Sequence, residues 1–237
     1  SETLTESPEI FVSIDAITNV TCNAGADGDI TASVVGGSLP YTSYIWDDPL
    51  TQNTLTPSGL SAGTFTMTVT DNNGCTATGD TTLLEPDAIT GVITENGASC
   101  NGVCDGDLSV VASGGSDVFT TYAWDDPGAQ STASTTSTLC AGTFIVTITD
   151  DQGCTGTATE DVTEPDPLVV TATSSNASCK SLDNGSITTS VFGGTGPFNY
   201  LWDDVGASTS SGISSLAPGT YTVTVTDNNG CTTNDNA

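Results

Sequence analysis

The 237-residue chain contains no histidine and a single Lys or Arg, against 29 Asp and Glu. Without histidine there is no Ser-His-Asp or Cys-His nucleophile system. A single basic residue argues against a nucleic-acid surface, because phosphate contacts need Lys and Arg. Anionic membrane surfaces are excluded on the same ground. No run is long and apolar enough to span a bilayer, which argues against membrane insertion. No basic n-region precedes an apolar h-region, so the chain reads as a mature product or a fragment. Phosphate-binding loops and helical periodicity are also missing. What remains is a formal charge of −28, which attracts cations, and an even scatter of Val, Ile, Leu and aromatics among Thr and Ser. That is not the composition of a disordered tail.

The residues repeat. Trp46, Trp124 and Trp202 stand 78 apart, and Cys22, Cys100 and Cys179 stand 78 and 79 apart. Cys75, Cys154 and Cys231 close the same phrase, "TVTDNNGC", "TITDDQGC" and "TVTDNNGC". Each unit runs from a Pro-led apolar stretch through a Cys, an acidic Gly turn, a strand, a Gly-Gly pair, a Trp-Asp-Asp strand and a long Thr-alternating strand. Phe65, Met67 and Val69 alternate with threonines, as do Tyr221, Val223 and Val225. This is the pattern of half-buried antiparallel strands. Ile30, Ala32 and Val34, with their later copies, give a second inward face. The fold class is all-β, a tandem array of three immunoglobulin-like β-sandwich repeats. Residues 1–8 read as the tail of a preceding repeat or a donor strand. The repeats follow at 9–86, 87–165 and 166–237, the last with a short final strand. The tryptophans fit a central core strand, with ligand stacking as the alternative.

Eight cysteines allow 105 pairings, and the repeats reduce them. One Cys precedes the Gly turn and one follows the Asp phrase in each unit, which suggests Cys22–Cys75, Cys100–Cys154 and Cys179–Cys231. Cys104 and Cys140 occur only in the second unit and are expected to pair with each other. A bridge closing about 50 residues contributes roughly 4 kcal/mol in the chain-entropy model. Paired cysteines imply an oxidising compartment: periplasm, cell surface or outside the cell. A metal site at "CNGVC" lacks the usual zinc spacing and any histidine.

The acidic turns have two readings. Asn73-Gly74 and Asn229-Gly230 are hairpin turns, and Asp and Asn are ordinary turn residues. Alternatively, intra-repeat disulfides would draw carboxylates together into calcium sites: Asp27, Asp29 and Asp71; Asp105, Asp107, Asp150 and Asp151; Asp183 and Asp227. Asp-Asp pairs also follow each Trp, at 47–48, 125–126 and 203–204. They recur in turn-like sequence, where a solvated face is more ordinary than a glycosidase pair. The chain is therefore expected not to be an enzyme. Sequons at Asn19, Asn176 and Asn184 match N-glycosylation.

Units meet at "LLEPD" and "VTEPD", short junctions stiffened by Pro. Three units end to end would make a rod on the order of 100 Å. "TLTESP" near the start resembles "TTLLEP" at the first junction. Two expectations follow: the array continues beyond both ends, or residues 1–7 complete the third repeat of a neighbouring copy by strand addition.

The sequence "C…DGDI…GGSLPY…W…LSAGTFTMTVTDNNGC" resembles the SprB-type repeat of Bacteroidota gliding-type surface adhesins. The likeness extends over nearly all three units. It lies in Gly-Gly with Pro40-Tyr41 or Pro197-Phe198, the Trp, Gly-Thr-Phe/Tyr and Asp-x-x-Gly-Cys. Unit two departs with "SDVFTTY" and its extra Cys pair. The resemblance implies cell-surface export, an immunoglobulin-like fold and a place in long adhesive filaments, and it carries no catalytic residues. Thr81, in Asp80-Thr81-Thr82, matches the short O-glycosylation motif of that phylum. The function expected is a stalk or filament segment of a surface adhesin. The alternatives are a self-assembling filament subunit, with copies of itself as partners, and a module that binds surface glycans or proteins.

Overall fold

The computed structural model describes residues 7–126, 133–176 and 183–237, and these form strands and turns without a helix. The first repeat has β1 (Phe11–Thr18), β2 (Gly28–Val35), β3 (Ser43–Trp46), β4 (Ser58–Leu60), β5 (Gly63–Thr70) and β6 (Thr76–Leu83). The second has β7 (Thr90–Asn96), β8 (Gly106–Ser113), β9 (Phe119–Trp124), β10 (Thr135–Leu139), β11 (Gly142–Asp150) and β12 (Thr155–Val162). The third has β13 (Val169–Ser175), β14 (Gly185–Phe192), β15 (Asn199–Trp202), β16 (Gly212–Leu216), β17 (Thr222–Thr226) and β18 (Thr232–Asn236).

Each repeat folds into two three-stranded sheets, ordered β1-β2-β4 and β3-β5-β6 in the first and reproduced strand for strand in the other two. The ladders of the first repeat are antiparallel, with Phe11 opposite Val35, Trp46 opposite Met67, and β5 aligned along the whole of β6. This is the immunoglobulin strand order with three strands in each sheet. The fold is therefore a tandem array of three immunoglobulin-like β-sandwiches.

The period-two alternation works as expected. In β5, Phe65, Met67 and Val69 are buried between threonines. Ile30, Ala32, Trp46, Leu60 and Leu83 complete the core of the first repeat, and Val170, Ile187, Trp202, Ile213, Val223 and Val225 form that of the third. Trp46, Trp124 and Trp202 are all buried. Each indole N–H donates to a loop carbonyl, Thr54 at 2.9 Å, Ala133 at 3.2 Å and Ser210 at 2.9 Å. A buried indole needs such a partner, and with it the tryptophans serve the core.

Two compact units divide the chain. One comprises Ser1–Gly91 with Ala112–Tyr122 and Thr147–Thr157, and the other Val92–Val111, Ala123–Val146 and Ala158–Ala237. The division cuts through the second sandwich rather than falling at the Pro-containing junctions.

Candidate functional site

The phrase that ends each long strand builds a closed hairpin. Asp71 Oδ1 accepts the N–H groups of Asn73 and Cys75, both at 2.9 Å, and Oδ2 accepts the Ser38 N–H at 2.9 Å. Asp150 does the same with Gln152 (3.0 Å), Cys154 (2.8 Å) and Ser116 (3.1 Å). Asp227 does so with Asn229 (2.9 Å), Cys231 (2.9 Å) and Thr195 (2.8 Å). Three backbone donors per carboxylate leave the charged form well satisfied although each side chain is buried. The Gly-Gly pair makes the space. Gly37, Gly115 and Gly194 lie against the Asp carboxylates, where a Cβ would stand 3.2, 2.6 and 3.0 Å from Oδ2.

These bonds hold the carboxyls below their ordinary value of 3.8. The Ser38 N–H is the main cause at Asp71 and the Thr195 N–H at Asp227, with burial opposing both. A carboxyl whose value is depressed by folding contributes stability that is complete above the unfolded value and lost as pH falls through the folded one. Asp227→Asn is therefore expected to melt several degrees below the parent at pH 7. The gap should close as pH drops below 3.8, which calorimetry from neutral to strongly acidic pH would measure. A gap independent of pH would contradict this role.

The first-cysteine turn is fastened to the junction that follows its own repeat. Val20 N–H donates to the Leu84 carbonyl, and the Glu85 carboxylate accepts the Ala24 N–H at 2.6 Å while Asn23 Nδ2 donates to the Pro86 carbonyl. In the next copy Ala98 N–H donates to the Thr163 carbonyl. Glu164 accepts the Gly102 N–H at 2.6 Å and Asn101 Nδ2 at 2.8 Å. Glu85, Glu164, Asn23 and Asn101 were not singled out from sequence. The signal for them is the recurrence of Cys-Asn and Glu-Pro at matching places.

The disulfides then cross between repeats. Cys22 bonds Cys154, within the first compact unit, and Cys100 bonds Cys231, within the second. These replace the expected Cys22–Cys75 and Cys100–Cys154, and Cys231 is not left for Cys179, which lies outside the described residues. Strand length is the reason. Cys22 lies between Val20, bonded to Leu84, and Asn23, bonded to Pro86, both past the end of β6, whereas Cys75 precedes its start. Eight residues of strand span about 26 Å, and a disulfide requires Cα atoms within about 7 Å. The two cysteines of the first repeat, and likewise of the second, therefore stand at opposite poles, and Cys22 and Cys100 each meet the second cysteine of the following repeat. Cys75 is a free, exposed thiol. Cys104 and Cys140 are joined to each other.

The same separation disperses the expected calcium ligands. Among the described residues no three acidic or cysteine side chains gather as metal ligands. Asp27 accepts the Thr21 N–H and Asp105 the Ser99 N–H at the first-cysteine pole, far along the strand from Asp71 and Asp150. Asp107 accepts Asn96 Nδ2, while Asp29, Asp151 and Asp183 are exposed. The first Asp after each Trp caps a strand: Asp47, Asp125 and Asp203 accept the N–H groups of Thr66, Ile145 and Thr222. Of the sequon residues, Asn19 uses its amide oxygen on the Leu84 N–H. Asn176 and Asn184 are exposed, and Thr81 lies within β6.

Paired three-stranded sheets in tandem, with disulfides that join successive repeats, define a repetitive immunoglobulin-like protein. The family model of the SprB repeat matches residues 14–51 and 171–207, in the first and third sandwiches. SprB repeats are modules of cell-surface adhesins, and no helix among the described residues is long and apolar enough to cross a membrane. Among solved structures, the three N-terminal domains of the bacteriophage RB49 Highly Immunogenic Outer Capsid protein share 13% identity over 97% of both chains, with a TM-score of 0.43. The N-terminal eight Ig domains of Down Syndrome Cell Adhesion Molecule isoform 1.30.30 share 10% identity, over 98% of this chain and 54% of that one, with a TM-score of 0.33. Dpr2 Ig1-Ig2, solved in complex with DIP-Theta, shares 9% over 95% of this chain and 97% of that chain, with a TM-score of 0.28. No curated protein sequence matches the chain.

Proposed function

We propose that the chain is a non-enzymatic, load-bearing stalk segment of an extracellular adhesin. The observation that carries this is the pairing of cysteines from successive repeats. Tension between the ends of a fully oxidised chain need not pass through the sandwiches. It runs from the start to Cys22, across to Cys154, back to Cys140, across to Cys104, back to Cys100, and across to Cys231. That path contains roughly 45 residues, about 160 Å when extended, against roughly 800 Å for the whole chain. Overlapping bridges thus cap the length that force can release, whichever sandwich yields first. The partners on this reading are neighbouring repeats, and the place of work is the cell surface. Single-molecule stretching tests it. The oxidised chain is expected to stop at the shorter of these two lengths and the reduced chain to approach the longer. Equal extensions would sink the proposal.

A self-assembling filament subunit is favoured by one further observation. Leu83 covers Gly28 and Val162 covers Gly106, but around Gly185 the nearest atoms come from Leu216 and Ser175. A cavity of about 380 Å³ opens there, lined by Ser174, Gly185, Ile187, Leu216, Pro218 and Tyr221. An apolar residue of a strand donated by a second copy fits it, with residues 1–7 as the donor. On this reading, deleting residues 1–7 abolishes end-to-end polymers that persist under reducing conditions. Polymers unaffected by the deletion would exclude it.

A further inference from the structure

Cys75 occupies the place that Cys154 and Cys231 hold in the later repeats. Its hairpin is already set: the three bonds to Asp71 match those to Asp150 and Asp227 donor for donor. The difference is occupancy. Cys154 Sγ lies 3.4 Å from the Thr21 carbonyl, and Cys231 Sγ lies 3.4 Å from the Ser99 carbonyl. These are contacts with the turn that carries each partner cysteine. Asn229 Nδ2 also donates to the Ser99 carbonyl at 2.9 Å. Asn229 Nδ2 and Asn73 Nδ2 both donate to the hydroxyl after the Gly-Gly pair, Thr195 at 3.3 Å and Ser38 at 2.7 Å, but among the described residues Asn73 has no second partner of the Ser99 kind; Cys75 is exposed, whereas Cys154 is buried. The same hairpin is therefore docked twice in this chain and open once. The occupant it fits is a first-cysteine turn: a cysteine preceded by a small polar residue with an available carbonyl.

The sequence contains the same run of residues once more, outside the described residues. Ala177-Ser178-Cys179 repeats Ala98-Ser99-Cys100. With six of the eight cysteines in bonds, Cys179 has no cysteine left in its own chain except Cys75. Pairing them within one chain would break the rule both joints follow, in which the first cysteine of one repeat meets the second cysteine of the next. Pairing them between copies keeps the rule, because the third repeat of one copy then precedes the first repeat of another. An exposed, unpaired cysteine in a disulfide-bonded extracellular protein is itself a signal of intermolecular pairing.

We infer that the Cys75 hairpin is a docking site for the Cys179 segment of a second copy, so that copies join head to tail through the same disulfide-closed joint that links repeats within the chain. The inference deepens the stalk reading and extends its joint beyond one copy. The chemistry is thiol–disulfide exchange. Cys179 attacks oxidised glutathione, forming a mixed disulfide and releasing one glutathione thiolate. The Cys75 thiolate of the second copy then attacks the Cys179 sulfur and expels the other. Two protein thiols and one oxidised glutathione become one protein disulfide and two reduced glutathiones.

The experiment is a titration of the purified full chain in a glutathione redox buffer, read on non-reducing gels and by peptide mass spectrometry. A ladder of dimers, trimers and higher species is expected, with a Cys75–Cys179 linked peptide and full collapse on reduction. Cys75→Ser alone should reduce oligomers at least tenfold, and so should Cys179→Ser alone. An equimolar mixture of the two variants should stop at dimers, because each carries one half of the joint. Because Cys75 is exposed, Cys75→Ser is expected to fold, and an unchanged melting curve would verify it. A chain that stays monomeric, a ladder that survives in Cys75→Ser, Cys75–Cys75 linkage or a Cys75–Cys179 bond within one chain would each overturn the inference. None of these outcomes alters the length a single oxidised chain reaches under force, so failure here is distinguishable from failure of the stalk reading.

Discussion

Cys22→Ser combined with Cys154→Ser is expected to cost about 5 kcal/mol of stability, the chain-entropy value for a bridge closing a loop of more than 100 residues. The Cys22–Cys154 separation is 132 residues and the Cys100–Cys231 separation 131, so either joint contributes more than the 36-residue Cys104–Cys140 loop. Replacing Cys104 and Cys140 should therefore cost less, by about 1 kcal/mol, since the entropy grows only with the logarithm of loop length. Denaturant unfolding followed by tryptophan fluorescence would rank the three double variants. The joint variants should also change the cooperativity of the transition. With a joint cut, the first sandwich is held to the second by the Pro junction and hydrogen bonds alone, and a separate low-stability phase is expected. If the joint variant unfolds at the same denaturant concentration as the parent, the fastening role assigned to the bridge is wrong.

Gly36→Ala is expected to be comparably damaging, on the order of 4 kcal/mol from backbone strain and overpacking together. Gly36 has φ +83°, a region in which an L side chain is strained by about 1–2 kcal/mol. A Cβ there would also stand 1.8 Å from the Glu9 carbonyl oxygen. That oxygen belongs to the backbone leading into β1, next to the buried Ile10, so it cannot move without shifting the strand. Gly114 and Gly193 repeat the collision, with the Ala88 carbonyl at 2.2 Å and the Pro167 carbonyl at 2.0 Å. Gly74 supplies the control. Its φ is +82°, yet a Cβ would meet nothing within 4 Å. Gly74→Ala should thus show the conformational strain alone, about 1–2 kcal/mol. Equal losses at the two positions would show that backbone strain, not the close approach to the first strand, dominates.

Local pattern carried the reading of the sandwiches well, because local pattern is what builds them. Thr-alternating stretches became β5, β11 and β17 because a half-buried strand must present one apolar face. The tryptophans became core because each ends a strand, β3, β9 or β15, on its inward-facing position. The Asp of the repeated phrase was legible as a turn residue but was also offered as a calcium ligand. Its oxygens turned out to be occupied by the hairpin's own N–H groups and by the Ser or Thr after the Gly-Gly pair. Nothing in the spacing of Asp71 and Ser38 announces that contact, since it depends on how the β2–β3 turn folds over the β5–β6 turn.

Three repeats, their all-β character, the positions of their turns and the absence of histidine-based or phosphate-binding chemistry follow from the order of residues alone. They depend on composition, on apolar side chains alternating with threonine, and on the even recurrence of Trp46, Trp124 and Trp202, none of which packing can change. The cysteine partners do not. The first two repeats each place their two main cysteines at opposite ends of a full-length strand, so the distance set by the fold forbids the pairing that symmetry within a repeat suggests. Only the packed sandwiches show which ends meet, and that turns a set of stapled beads into a chain of fastened joints with one hairpin, at Cys75, still open.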